Sequence, residues 1–272
     1  MNTISLAALT ILDAGPAGQI RAAAEAGFDA VGLRLNPLLP SDPAVVGRPA
    51  AEAEIRDLLS GTGLGVLEIG VFPIRADMDV ARLEPVMDFS ATIGAKYIVC
   101  PVEDGEETRR AETFSRVCEL ARAAGLAALV EFNPYSACPN LAGALDLVAS
   151  ARQPNGGLCI DAFHLSRSGG HPDDLRGLEP SLLPIVHFCD ARPLPAAQRS
   201  VDEVRRESRT ARLLPGDGVL PLSELLRALP EDVAISVEAP TAANVHLPPA
   251  ERARLALTAT RRVLDGTRAD GR

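Results

Sequence analysis

The feature that most constrains this chain is an alternation of element types that runs from one end to the other. Short runs rich in apolar and β-branched residues are each followed by a stretch with helical signals. The runs are ISLAAL from Ile4, AVGLRL from Ala30, GVLEIGVF from Gly65, KYIVCPV from Lys96, ALVEFN from Ala128, LCIDAFH from Leu158, IVHFCDA from Ile185 and AISVEAP from Ala234. Their starts are roughly 25 to 50 residues apart, most near 30, which is the length of one strand, one helix and two short loops.

Strand then helix, eight times over, predicts a single (β/α)8 TIM barrel. An open doubly wound sheet is the main competitor, and it would show a glycine-rich phosphate turn after the first strand. None follows ISLAAL. The helical stretches carry their own punctuation. Pro16 suits a first turn and Gly27 an exit, with Ile20, Ala23, Ala24 and Phe28 at helical spacing. A helix is expected from Asp79 to Gly94 with Asp79 as its cap, and others over 107–125, 140–151 and 249–264. The barrel domain is placed at 1–265, with 266–272 as a polar tail that frays. Two loops are long, 36–49 after the second strand and 192–218 after the seventh. In the latter, Ser200 and Glu203 have capping-box spacing, which predicts a short charged helix acting as a lid over the barrel mouth.

Composition narrows the function. With 47% hydrophobic and 23% charged residues in 272, the chain can bury a full core. A net charge of -9 and 3% aromatics exclude the basic stripe and stacking platforms of a nucleic-acid binder. No apolar run approaches the roughly 20 residues of a membrane span, and MNTISLAALTILDAG has no secretory n-region, so a cytoplasmic protein with a small-molecule ligand is expected. Self-association is left open. The five cysteines form no CxxC pair and are read as reduced core residues. The single lysine, Lys96, opens its strand and so faces the end of the barrel opposite the chemistry, which argues against imine-forming aldolase mechanisms.

Four successive strands carry a chemically active residue near their carboxyl end: Glu131, Asp161, His187 and Glu238. A charge inside an apolar strand costs several kcal/mol unless it is paired or bound to metal. In a barrel these four side chains converge on the mouth, and three packed carboxylates call for a cation. Oxygen-rich ligation with one nitrogen suits Mn²⁺, Mg²⁺ or Co²⁺ and permits Zn²⁺. The competing account has each acid capping a helix or pairing with an arginine. Arg34, near the end of the second strand, and Arg212, in the lid segment, are candidates for binding substrate hydroxyls or a carboxylate, although Arg34 could equally pair with Glu68. Glu68 and Asp190 are candidates to orient ligands, and Asp217 to fix its turn. His171 and His246 are not assigned to the metal.

This ordered set resembles the xylose isomerase-like barrel superfamily of sugar phosphate isomerases and epimerases, over nearly the whole chain. The likeness rests on Glu131, Asp161, His187 and Glu238 at the ends of strands five to eight, on His164 three residues after Asp161, and on RLLPGDG from Arg212 to Gly218. It departs where several epimerases place an arginine shortly after the metal-binding histidine; here Arg192 is followed by Pro193 and a long insertion. The resemblance implies one divalent ion, Mn²⁺ foremost, held by those four residues, and a metal-dependent isomerase or epimerase of a small keto-sugar or related polyol working through an enediolate. Glu131 and Glu238 would double as the opposed acid/base pair, and His164 would donate to a substrate oxygen or act as an acid. The same site becomes a dehydratase of an inosose- or dehydroshikimate-like substrate if the enediolate expels a β-hydroxyl. An apurinic-site endonuclease is disfavoured by only four histidines and the negative charge, and a non-catalytic barrel that binds a metabolite or partner would keep its ligand affinity when Glu131 is mutated and show no turnover.

Overall fold

The computed structural model describes residues 2–38, 42–194 and 200–269. Its eight strands are β1 (Ile4–Leu6), β2 (Ala30–Arg34), β3 (Gly65–Gly70), β4 (Tyr97–Pro101), β5 (Ala127–Glu131), β6 (Gly156–Asp161), β7 (Ile185–Phe188) and β8 (Ala234–Val237). All pair in parallel in chain order, and β1 also pairs with β8, so the sheet closes into a barrel and the doubly wound alternative falls. Helices connect the strands on the outside: α1 (Gly15–Ala26), α2 (Pro49–Thr62), α3 (Glu84–Thr92), α4 (Glu107–Ala123), α5 (Leu141–Ala151), α6 (Ala162–Arg167), α7 (Val201–Thr210), α8 (Leu222–Ala228) and α9 (Pro249–Ala269). None of the described helices is long and apolar enough to cross a membrane.

Period-two alternation sorts each strand into residues that face the helices and residues that face the barrel axis. The first group joins the helix stripes in the large outer core. The second forms a small plug at the amino-terminal end, built from Ala30, Leu67, Val99, Leu129, Cys159, Ile185 and Ala234. Two residues further along β5, β6 and β7 the same inward positions are Glu131, Asp161 and His187; four further along from Ala234, just past β8, is Glu238. One periodicity therefore fills the bottom with hydrocarbon and lines the top with ionisable groups.

A break in register adds one more. Val31 pairs with Val66 but Leu33 pairs with Ile69, so Leu67 and Glu68 together oppose Gly32. This bulge turns Glu68 inward beside Leu67. Gly32 is the residue that lets it lie there, since a Cβ at that position would come within 2.3 Å of Glu68 Oε1.

Several boundaries differ from expectation. Asp79 makes no side-chain cap; a short 3-10 turn at Val80–Leu83 intervenes, and α3 starts at Glu84, next to Pro85. The apolar run LCIDAFH is not all strand: β6 stops at Asp161, whose carboxylate accepts from the His164 amide and caps α6. At the far end α9 runs to Ala269, and Thr267 is buried against Ser223, so the stretch read as a frayed tail is helical through 269. Residues 270–272 lie outside the described residues, as do 195–199 of the long loop. The capping box of Ser200 and Glu203 opens α7. That helix is tied to the carboxyl end of the barrel by Tyr135 Oη to Ser208 Oγ at 2.8 Å and by the Arg167–Glu207 ion pair at 2.8 Å.

Candidate metal centre

Glu131, Asp161, His187 and Glu238 each bring one donor atom into a cluster in which all four lie within 4.8 Å of one another. His187 Nδ1 is 2.9 Å from Glu131 Oε1, 3.6 Å from Glu238 Oε2 and 4.0 Å from Asp161 Oδ2. Asp161 and His187 are deeply buried, and Glu131 and Glu238 each keep 9% exposure. The strands supply this geometry directly: Asp161 is in register with His187, and His187 with Ser236, two residues before Glu238.

Arg212 completes the cluster from above. It is the largest fully buried side chain in the described protein. Its Nη1 donates to Asp161 Oδ2 at 2.6 Å and to the Glu238 carbonyl at 3.2 Å, and Nε donates to the Ser208 carbonyl at 2.7 Å. Asp190 fixes the backbone that carries it. The Asp190 carboxylate accepts from the amides of Ala191, Gly216 and Leu220, and its main chain pairs with Leu213. Asp190 thus anchors the RLLPGDG segment and does not orient a ligand. Asp217 holds no donor within its own turn among these contacts and instead meets Arg262 on α9 at 2.7 Å.

Protonation follows from burial set against these partners. For Glu131, burial would raise the carboxyl, but the hydrogen bond and charge of His187 outweigh it and hold it below its ordinary value. Asp161, also buried, is carried well below the usual carboxylate range by the Arg212 charge. Glu238 goes the other way: burial, reinforced by the neighbouring acids Glu131 and Asp161, lifts it to about 7. His187 is raised although burial opposes its charge, because the Glu238 and Glu131 carboxylates favour the imidazolium. The proton on His187 occupies the place in the charge balance that a cation would take.

The donor set fits a divalent ion. Three carboxylates and one imidazole nitrogen from four strands point at one volume, a mixture that suits hard or borderline ions. The back of the histidine is also prepared: Glu68 Oε1, which accepts from Ser236 Oγ at 2.6 Å, lies 3.8 Å from His187 Nε2. At that distance Glu68 makes no hydrogen bond to Nε2, which is buried without a partner among the described residues, but its charge favours a proton there over one on Nδ1. Cys159 also clusters with Glu131 and His187, but burial pushes its thiol up to about 12, so it stays a protonated core group. All five cysteines are buried and free.

His164 lies next to this centre, its Nε2 3.4 Å from Arg212 Nη2 and its Nδ1 buried without a partner. Burial lowers its pKa, and the adjacent Arg212 charge works the same way, so the ring is neutral. Arg34 stands apart from the cluster and makes no contact with Glu68; it lines a cavity on the β1–β2 side. His171 caps a short surface turn and His246 is exposed, so neither joins the centre. Lys96 sits exposed just before β4, at the opposite end. No local pattern marks Ser236 and Gly32 as the residues that shape the Glu68 contact; the register break shows it.

Comparison with known proteins fits this geometry. The model of the xylose isomerase-like TIM barrel family matches residues 20–263. The chain belongs to that family. Among curated relatives, an inosose isomerase from Bacillus velezensis is 23% identical over 162 residues, 56% of this chain and 55% of that protein. The match thus spans little more than half the length of that relative. Among solved structures, the IolI protein with a bound zinc atom superposes with a TM-score of 0.80 at 18% identity, over 97% of this chain and 99% of the other. A probable 3-DHS dehydratase, AsbF, from Bacillus anthracis gives 0.71 at 16% identity, over 96% and 99%. At these identities the structures share the fold.

Proposed function

We propose that the protein is a metal-dependent isomerase or epimerase of a small keto-sugar or related polyol, with Glu131, Asp161, His187 and Glu238 holding one divalent ion, Mn²⁺ in first place. The observation that carries this reading is the meeting of those four donors within 4.8 Å at the carboxyl ends of β5 to β8. The inosose isomerase relative and the zinc-bound IolI neighbour support it. When bound, the ion would draw electron density from adjacent carbonyl and hydroxyl oxygens and so acidify the C–H between them.

The chain's own groups then divide the proton work. Glu131, kept ionised beside His187, accepts the proton from carbon. Glu238 returns one from the other side. Neutral His164 donates through Nδ1, its unpartnered buried atom, to a substrate oxygen. Arg212 keeps the Asp161 carboxylate aimed at the ion.

A second reading is a dehydratase on the same residues. A second carboxyl group beside the proton acceptor favours it, because such a group can carry a proton to a departing β-hydroxyl. The AsbF neighbour is in keeping with it. Elemental analysis of the purified protein, followed by deuterium exchange into a panel of keto-sugars with and without chelator, tests both. Exchange abolished by chelation and restored by Mn²⁺ is expected. An epimer or aldose–ketose pair marks the isomerase, and a new conjugated chromophore marks the lyase. Exchange that survives chelation overturns the metal-dependent reading.

A further inference from the structure

Beside the metal centre, between the ends of β1, β2 and β8, lies a cavity of about 680 Å³, a volume in the range of small-molecule sites. Its wall is tied to the centre through Arg212: the Arg212 amide donates to the Pro240 carbonyl at 3.2 Å, Thr241 Oγ1 donates to the Arg212 carbonyl at 2.6 Å, and Pro240 and Thr241 stand two and three residues after Glu238. A molecule whose reacting carbon rests against Glu131 and Glu238 would extend its other end here.

The charge of this cavity runs against that of the chain. Among the described residues, five ionisable side chains line it: Asp13, Asp42, Arg34, Arg209 and Arg252. Asp13 and Arg252 cancel in a two-pronged pair at 2.9 and 2.6 Å, and Asp42 Oδ2 accepts from the Leu38 amide. Among the described residues, neither Arg34 nor Arg209 is hydrogen-bonded to or ion-paired with a carboxylate. Arg34 continues the inward-facing series Ala30, Gly32, Arg34 along β2, and its Nε is buried with nothing to donate to. In a protein of net charge -9, with acids enough to pair most arginines, an unmatched buried guanidinium donor is costly unless a ligand satisfies it. A neutral polyol would not need two such cations.

We propose that Arg34 and Arg209 form an anion-binding subsite, so that the natural substrate is an acidic sugar derivative: a keto-sugar or polyol that carries a carboxylate or a phosphate at the end remote from the reacting carbon. This rests on the reading of the metal centre as the place of reaction. The fork of Arg34 at the strand end fixes which end of the molecule enters first, and the exposed Arg209 at the end of α7 closes over the anion from the solvent side.

Calorimetric titration with D-glucuronate, D-glucose and inorganic phosphate tests it, on Mn²⁺-loaded and on EDTA-treated protein. Glucuronate or phosphate should bind at least about tenfold more tightly than glucose in both forms, and whichever of the two binds identifies the anion. The Arg34→Gln/Arg209→Gln variant should lose that preference while keeping its melting temperature and its metal content. The single Arg34→Gln variant should lose the larger part. Glucose binding as well as the anions, an unchanged preference in the double variant, or no anion bound at millimolar concentration would each overturn the proposal. Should deuterium exchange prove indifferent to chelation while the anion preference remains, the metal-dependent reading fails and the subsite stands.

Discussion

The two ends of the barrel interior are built from the same inward-facing positions and do opposite things. At the amino-terminal end Leu129, Cys159 and Ile185 form part of a dry plug. Two residues later on the same strands, Glu131, Asp161 and His187 form part of a charged cluster. The plug needs only apolar volume, so its members are interchangeable within size limits. The cluster needs each charge balanced at a particular atom, so its members are not. Stability resides in one layer and chemistry in the next, 2 residues apart along each of these strands.

Substitutions at the two levels should therefore fail in different ways. The largest expected effect is at the top. Arg212→Ala leaves Asp161 and Glu238 buried without their cation and should cost about 3–5 kcal/mol in the metal-free protein, measured by urea unfolding; added Mn²⁺ should recover part of the loss. An unchanged midpoint would mean that Arg212 carries no charge balance. At the bottom, Leu129→Ala should cost about 2–5 kcal/mol through the cavity it opens, with metal content per folded molecule unaltered. If it also strips the metal, the two layers are not separable.

Between them sits Glu68. Glu68→Gln should weaken metal affinity by about tenfold, as removal of a carboxylate behind a ligating histidine commonly does, with little effect on folding. A fall in stability without a change in affinity would reassign Glu68 to the plug.

The smallest effect is on pH dependence. In the metal-free protein Glu238 is raised to about 7 and His187 is raised above its ordinary value. A group raised on folding contributes stability that is complete below its unfolded pKa and is lost as pH climbs through the folded one. The EDTA-treated protein should thus melt a few degrees lower at pH 8 than at pH 6. Mn²⁺ should reverse the trend, since ion and proton compete for the same atoms. A melting temperature flat across that range in both forms would show that the cluster does not share a proton.

Much of this was legible in the residues alone, for physical reasons. The eight strands announce themselves because strands buried on both faces are continuous apolar runs, and Glu131, Asp161, His187 and Glu238 stand out because charge inside such a run is expensive. What stayed hidden depends on register or on partners distant in sequence. Nothing in LCIDAFH marks where strand becomes helix; the Asp161 side chain decides it by capping α6. Asp79 has the right type and position for a cap, yet the 3-10 turn that follows leaves its side chain out of the role. Glu68 is turned inward by a bulge that no local pattern encodes. Arg212, in a charged loop, would be expected in solvent, and it is buried because Asp161 and Glu238, at the ends of the strands flanking β7, meet its guanidinium.

That burial has a consequence for motion. The guanidinium that steadies Asp161 is itself held by the Ser208 carbonyl near the end of α7, a helix whose other ties are side-chain bonds to Tyr135 and Arg167. A swing of that roof would pull the Ser208 bond from the guanidinium while the Arg212 main chain stays pinned to Pro240 and Thr241, so opening the mouth to admit a guest would also loosen the acid beneath.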